Sequence, residues 1–145
     1  MASEQVLGLD ISRVVKAKPG AVFDAFTKPE VLKTWWGPEG MTCPKADIDC
    51  RAGGTYETLM QAPDGTTRDV RGTFTEIEPG KKVAYTWAWY TDDKPGPESS
   101  VAVSFTEKDS GTEVHLHHEG FTNQEECDQH NWGWTSSFNC LEKIF

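Results

Sequence analysis

Between residues 81 and 118 the hydrophobic positions recur at every second residue. In 81–90 (KKVAYTWAWY), Val83, Tyr85, Trp87 and Trp89 fall on one side of the alternation. In 99–106 the matching set is Val101, Val103 and Phe105, and in 112–118 it is Thr112, Val114, Leu116 and His118. A period of two puts alternate side chains on opposite faces of a strand, so each run predicts a strand with one buried face. Turn-forming residues punctuate this part of the chain at Gly53-Gly54, Pro63-Asp64-Gly65, Glu78-Pro79-Gly80 and Asp109-Ser110-Gly111, with a longer Pro/Gly loop at 92–97. Strands that follow one another through short turns form an antiparallel sheet.

The two ends read differently. Residues 5–16 (QVLGLDISRVVK) are rich in β-formers and predict a first strand. Pro19 then supplies the φ of a first helical position, and Val22, Phe23 and Phe26 follow at helical spacing, up to Pro29. A second short helix from Pro29 turns Val31, Leu32 and Trp35 inward, and Gly37-Pro38 stops it. The last segment, 122–145, returns to a helical period. Thr122 or Asn123 caps it, Glu125 and Glu126 sit in the first turn, and Cys127, Asn131, Trp134, Phe138, Leu141 and Phe145 form one stripe. The expected order is β-αα-β-β-β-β-β-β-α, a single α+β domain over residues 1–145.

Composition then excludes several roles. In 145 residues, 37% are hydrophobic and 26% charged, as in a globular domain. No apolar run approaches the roughly 18 residues of a membrane span. The opening MASEQVLGLD has neither a basic stretch nor an apolar one, so no secretory signal is expected and the cytoplasm is the expected address. Lys and Arg number 14 against 23 Asp and Glu, a net charge of -9, with no basic run longer than Lys81-Lys82. That balance argues against nucleic acid and against anionic membrane surfaces as partners. Monomer and small homodimer both fit.

Candidate chemistry is sparse. Cys43, Cys50, Cys127 and Cys140 form no C-x-x-C pair and are expected to be free thiols, with no zinc site among them. Alternation in strand 112–118 and its flanks puts Glu113, His115, His117 and Glu119 on one face. Such a set can ligate a metal, but it lies on the convex side if Val114 and Leu116 are buried, so a solvated face without metal is expected. His118 turns the other way, either to meet a ligand or to bond the last helix, where His130 lies one turn before Trp134. Asp49 and Arg51 are read as an ion pair or as solvent-exposed residues. No nucleophile elbow, phosphate loop or carboxylate pair occurs, and no catalytic residue or cofactor is assigned.

Tryptophan changes the picture. Six occur, as Trp35-Trp36, Trp87 with Trp89, and Trp132 with Trp134: after the short helices, on a central strand and on the last helix. If these segments converge, their rings line a concave apolar pocket for a small molecule. The pocket candidates are Trp35, Trp36, Tyr56, Tyr85, Trp87, Trp89, Phe105, His118, His130, Trp134 and Phe138.

The chain also carries a family resemblance. Pro19…Val22-Phe23-Asp24-Ala25-Phe26…Pro29-Glu30…Leu32…Trp35-Trp36-Gly37-Pro38 resembles the opening of the activator of heat shock protein 90 ATPase homologue-like family. So do Asp49-Cys50-Arg51-Ala52-Gly53-Gly54, Met60…Pro63-Asp64-Gly65, Gly72…Glu76-Ile77, Gly111-Thr112, His118-Glu119-Gly120-Phe121 and Gly133-Trp134…Leu141, in order over nearly the whole chain. The resemblance implies the START-like (SRPBCC) helix-grip fold, a curved antiparallel sheet around a long C-terminal helix. It implies an apolar or aromatic small-molecule ligand, since superfamily members bind lipids, hormones or polyketides. A chaperone is the alternative partner, because related domains form half of a co-chaperone that stimulates the chaperone's ATPase. A cyclase or hydrolase is the third reading, through pocket groups such as Tyr56, His118 and His130.

Overall fold

The computed structural model describes residues 7–37 and 39–145. Gln5 and Val6 of the expected first strand, and the Pro38 stop signal, lie outside the described residues. The chain runs β1 (Leu7–Val15), α1 (Pro19–Thr27), α2 (Pro29–Leu32), β2 (Thr42–Ile48), β3 (Thr55–Gln61), β4 (Thr67–Glu78), β5 (Lys82–Thr91), β6 (Lys94–Pro95), β7 (Ser99–Lys108), β8 (Gly111–Phe121) and α3 (Gln124–Lys143). Seven strands pair antiparallel in the order β1-β8-β7-β5-β4-β3-β2, and the two-residue β6 hangs on β5. The result is the helix-grip arrangement: a long curved sheet, short helices after the first strand, and one long helix at the end.

Alternation decides which face is buried. Val83, Tyr85 and Trp87 of β5, Val101, Val103 and Phe105 of β7, and Thr112, Val114, Leu116 and His118 of β8 are all buried. Register aligns them across the strands, with Val83 opposite Val103 and Val101 opposite His118. Each apolar row therefore continues across the sheet as a contiguous core. Helix α1 adds Val22, Phe23 and Phe26. Phe26 meets Trp35, Phe105 and Phe138 at ring-centroid distances of 4.8, 5.4 and 6.2 Å.

Helix α3 starts as its residues dictate. Asn123 is the N-cap, its Oδ1 accepting from the Glu126 amide at 2.8 Å, and Thr122 donates to the Glu126 carboxylate. The inward stripe differs from the expected one at two positions. Asn131 and Phe145 are exposed, whereas His130 is half-buried and Ser136 and Ser137 are buried. Residues 130 and 131 divide the span from Cys127 to Trp134 equally well, and tertiary bonding selects 130, which accepts from Trp89. Ser136 is held in by the Glu39 amide, which donates to its Oγ at 2.7 Å.

The stretch 92–97 is no open loop. Asp92 and Asp93 both adopt positive φ, 52° and 63°, and close a two-residue turn that brings Lys94–Pro95 back onto β5.

Candidate functional site

Three segments meet at one end of the concave face. The chain leaves α2 through Trp35 and Trp36, the last half of β5 presents Trp87 and Trp89, and α3 lays Trp134 across them. Their rings are in mutual contact. Trp36 lies 5.9 Å from Trp87 and 5.5 Å from Trp134, and Trp87 lies 5.2 Å from Trp134 and 5.4 Å from Trp89. Tilted and edge-on contacts of this kind stabilise beyond area burial.

The rings fill the interior instead of enclosing a chamber. The void bounded by Phe26, Trp36, Tyr56 and Tyr85 holds only about 10 Å³. Ligand-sized space lies outside the packed rings: an open groove of about 1180 Å³ is floored by Trp36, Trp87, Trp89 and Trp134, and a second, of about 810 Å³, is lined by Ile48, Tyr56, Gly72 and Tyr90. Large rings pack well when they meet edge to face, so the concave apolar space beside them is an open groove and not an enclosed cavity.

The candidate residues divide along this boundary. Trp36, Trp87, Trp89, His130 and Trp134 line the larger groove. Trp35, Tyr56, Tyr85, Phe105, His118 and Phe138 do not; all six are buried core side chains. Phe105 packs on Phe23 and Phe26, and Tyr56 donates to the Thr86 carbonyl at 2.6 Å. Burial pushes the hydroxyls of Tyr56 and Tyr85 well above the ordinary tyrosine range, so both stay protonated.

Sequence reasoning missed Met41, Met60 and Arg68 of the groove wall, and it left Trp132 off the candidate list after naming it with Trp134. Trp132 is 68% exposed at the lip. Its proximity to Trp134 was the available signal. Arg68, whose guanidinium lies 5.9 Å from the Trp89 ring, gave none.

Two histidines brace the floor. Trp134 Nε1 donates to His118 Nδ1 at 3.0 Å, so Nδ1 is the unprotonated nitrogen and Nε2–H donates to Ser99 Oγ at 2.7 Å. Burial, reinforced by the neighbouring His130 and His117, lowers the His118 pKa to about 3. His118 is thus a neutral core histidine with both nitrogens engaged. His130 repeats the arrangement: Nδ1–H donates to the Glu126 carbonyl at 2.8 Å and Nε2 accepts from Trp89 Nε1 at 2.9 Å.

The opposite face of β8 is polar. His115 Nε2 and His117 Nδ1 both approach Asp10 Oδ1, at 3.0 and 2.9 Å, and His117 Nε2 approaches Glu119 at 2.8 Å. Burial opposes the charge on His117, yet the bonds to Asp10 and Glu119 outweigh it and raise the pKa. Among the described residues no three His, Cys, Asp or Glu side chains are arranged to hold a metal ion. Asp49 and Arg51 form an exposed ion pair at 2.8 Å.

The family model described as Activator of Hsp90 ATPase homolog 1-like protein matches residues 16–145. The chain belongs to this family. A crystal structure of a family protein from Silicibacter pomeroyi is similar at 31% identity with a TM-score of 0.86, covering 95% of this chain and 96% of the other. A protein from Chromobacterium violaceum is similar at 25% identity and TM-score 0.85, covering 94% and 96%. The solution structure of a family-like protein from Aeromonas hydrophila, at 22% identity and TM-score 0.79 over 94% and 90%, shares the fold. No curated protein matches the chain.

Proposed function

We propose that this family member is a binding protein for an apolar, ring-bearing or acyl small molecule, held in the groove between the Trp87–Trp89 end of β5 and helix α3. The observation that carries this reading is the groove of about 1180 Å³ floored by four tryptophans. Ligand sites are concave and mostly apolar, with few polar groups, and aromatic faces reward rings and chains over sugars or nucleotides.

Binding is favoured over the cyclase or hydrolase reading by the state of the histidines and tyrosines on which that reading relies. His118 and His130 spend both ring nitrogens inside the protein, and neither Tyr56 nor Tyr85 is poised to ionise. A general acid or base needs a free proton site within reach of the ligand. The four cysteines are free thiols, which supports a reducing cytoplasmic address. Among the described residues no helix is long and apolar enough to cross a membrane.

The test is a thermal-shift panel of lipids, aromatics and polyketide-like compounds, read with tryptophan fluorescence. A ligand specific for the native state should add about 2.7 kcal/mol at a hundredfold excess over Kd. A flat response over all three classes defeats the proposal.

A further inference from the structure

A buried indole carries one N–H donor, which ordinarily finds a partner inside the fold. Four tryptophans, three buried and Trp89 half-buried, do so. Trp35 Nε1 donates to the Ala25 carbonyl at 2.8 Å, Trp36 to Thr58 Oγ1 at 3.0 Å, Trp89 to His130 at 2.9 Å and Trp134 to His118 at 3.0 Å. Among the described residues Trp87 is the exception: its Nε1 is buried with no partner. The residue is 5% exposed and lies in the groove floor. Its neighbours have no acceptor to offer. Trp36, Trp89 and Trp134 are donors only, and the acceptor nitrogens of His118 and His130 are already taken.

We propose that the natural occupant of the groove is a planar, uncharged, largely apolar molecule bearing a carbonyl-type acceptor, which displaces the side chains covering Trp87 Nε1 and docks on it. The inference rests on the ligand-binding reading above and adds the chemical class. An acceptor is required because an indole nitrogen only donates. A neutral acceptor fits better than a carboxylate, because the groove sets Asp64, Glu125, Glu126 and Asp128 against Arg68 alone. The wall beside Trp36 is adaptable: Met41 and Met60 pack around Gly37, and unbranched thioether chains yield to an entering ring. Tyr85 Oη also lacks a partner, but the void it borders, about 10 Å³, has room for one water and no ligand.

Fluorenone and fluorene share one flat frame and differ only in a carbonyl against a methylene. Each is titrated into the ¹⁵N-labelled protein, with the Trp87 indole signal assigned through its contacts to His118 and Trp134. Fluorenone should bind about two- to tenfold more tightly, the usual worth of one hydrogen bond. The Trp87 Nε1–H proton should move downfield with fluorenone and not with fluorene. In Trp87→Phe, which keeps a ring without the donor, the preference should vanish. The indole shift is read in the unaltered protein, so a poorly folded variant leaves the test standing. Equal affinities with an unmoved Trp87 signal, or a ketone preference that survives Trp87→Phe, overturn the anchor while the groove remains a binding site. Absence of binding by both compounds overturns the ligand reading and the anchor together.

Discussion

Trp134 on α3 and His118 on β8 share one hydrogen bond, indole Nε1 to imidazole Nδ1 at 3.0 Å, which ties the long helix to the sheet at the base of the groove. The bond settles the tautomer of His118 and orders what lies beyond it. His118 Nε2–H reaches Ser99 Oγ, and Ser99 in turn donates to the Trp87 carbonyl at 3.2 Å. A contact made to place a helix thereby also steadies the strand that carries the groove floor.

Removing the donor of that bond should be costly. Trp134→Phe keeps a ring but leaves a buried nitrogen unmet, and a loss of about 1–3 kcal/mol is expected in urea unfolding. Trp134→Ala should cost about 3–5 kcal/mol. The pH dependence follows from the same burial. With a folded pKa of about 3 against an ordinary 6.5, His118 stays neutral in the folded protein while the unfolded chain takes up a proton first. Its contribution is complete above about pH 6.5 and declines as pH falls toward 3. Imidazole NMR signals should show His118 unprotonated at pH 5.

The Asp10–His117 contact works in a different window. His117 is raised above 6.5, so its stabilisation is present below that value and lost as pH climbs through the folded pKa. Asp10 is lowered below 3.8, chiefly by its bond to His117, so its stabilisation is present above that value and lost in stronger acid. Asp10→Asn should therefore lower Tm most between about pH 4 and 6.5 and little at pH 9, by a small amount because the pair is solvated.

Gly72 has a steric duty. A Cβ there would run into the Thr86 carbonyl oxygen and press on Tyr56 Cε1 at 2.7 Å. Tyr56 crosses the strand at this point to donate to the same carbonyl. Gly72→Ala should cost about 3 kcal/mol or more, visible as a large fall in Tm.

Trp132 separates binding from stability. Standing 68% exposed at the groove lip, it can be cut to alanine with stability unchanged to within about 0.5 kcal/mol. A ligand found in the thermal-shift panel should nevertheless bind Trp132→Ala more weakly, as titration of the remaining tryptophan fluorescence would show.

The fold was legible because its signals are local. Alternation in β5, β7 and β8, the Pro19 helix start and the Asn123 cap each depend on residues within a few positions of one another. The groove is another matter. Met41, Met60 and Arg68 carry no pattern that assigns them to a wall shared with α3, and Phe105 and Phe138 share a face with groove residues while lying deep in the core.

By itself the sequence determined which residues are strand, which are helix and which face of each is apolar, since backbone periodicity and side-chain polarity are properties of short stretches. Only the tertiary structure decided where the packed rings end and open space begins. It chose His130 over Asn131 for the inner side of α3, gave His118 two internal partners, and left Trp87 Nε1 with none. Those outcomes depend on how rings from distant segments interlock. A rotation of α3 by a fraction of a turn would change every one of them while leaving the hydrophobic pattern intact.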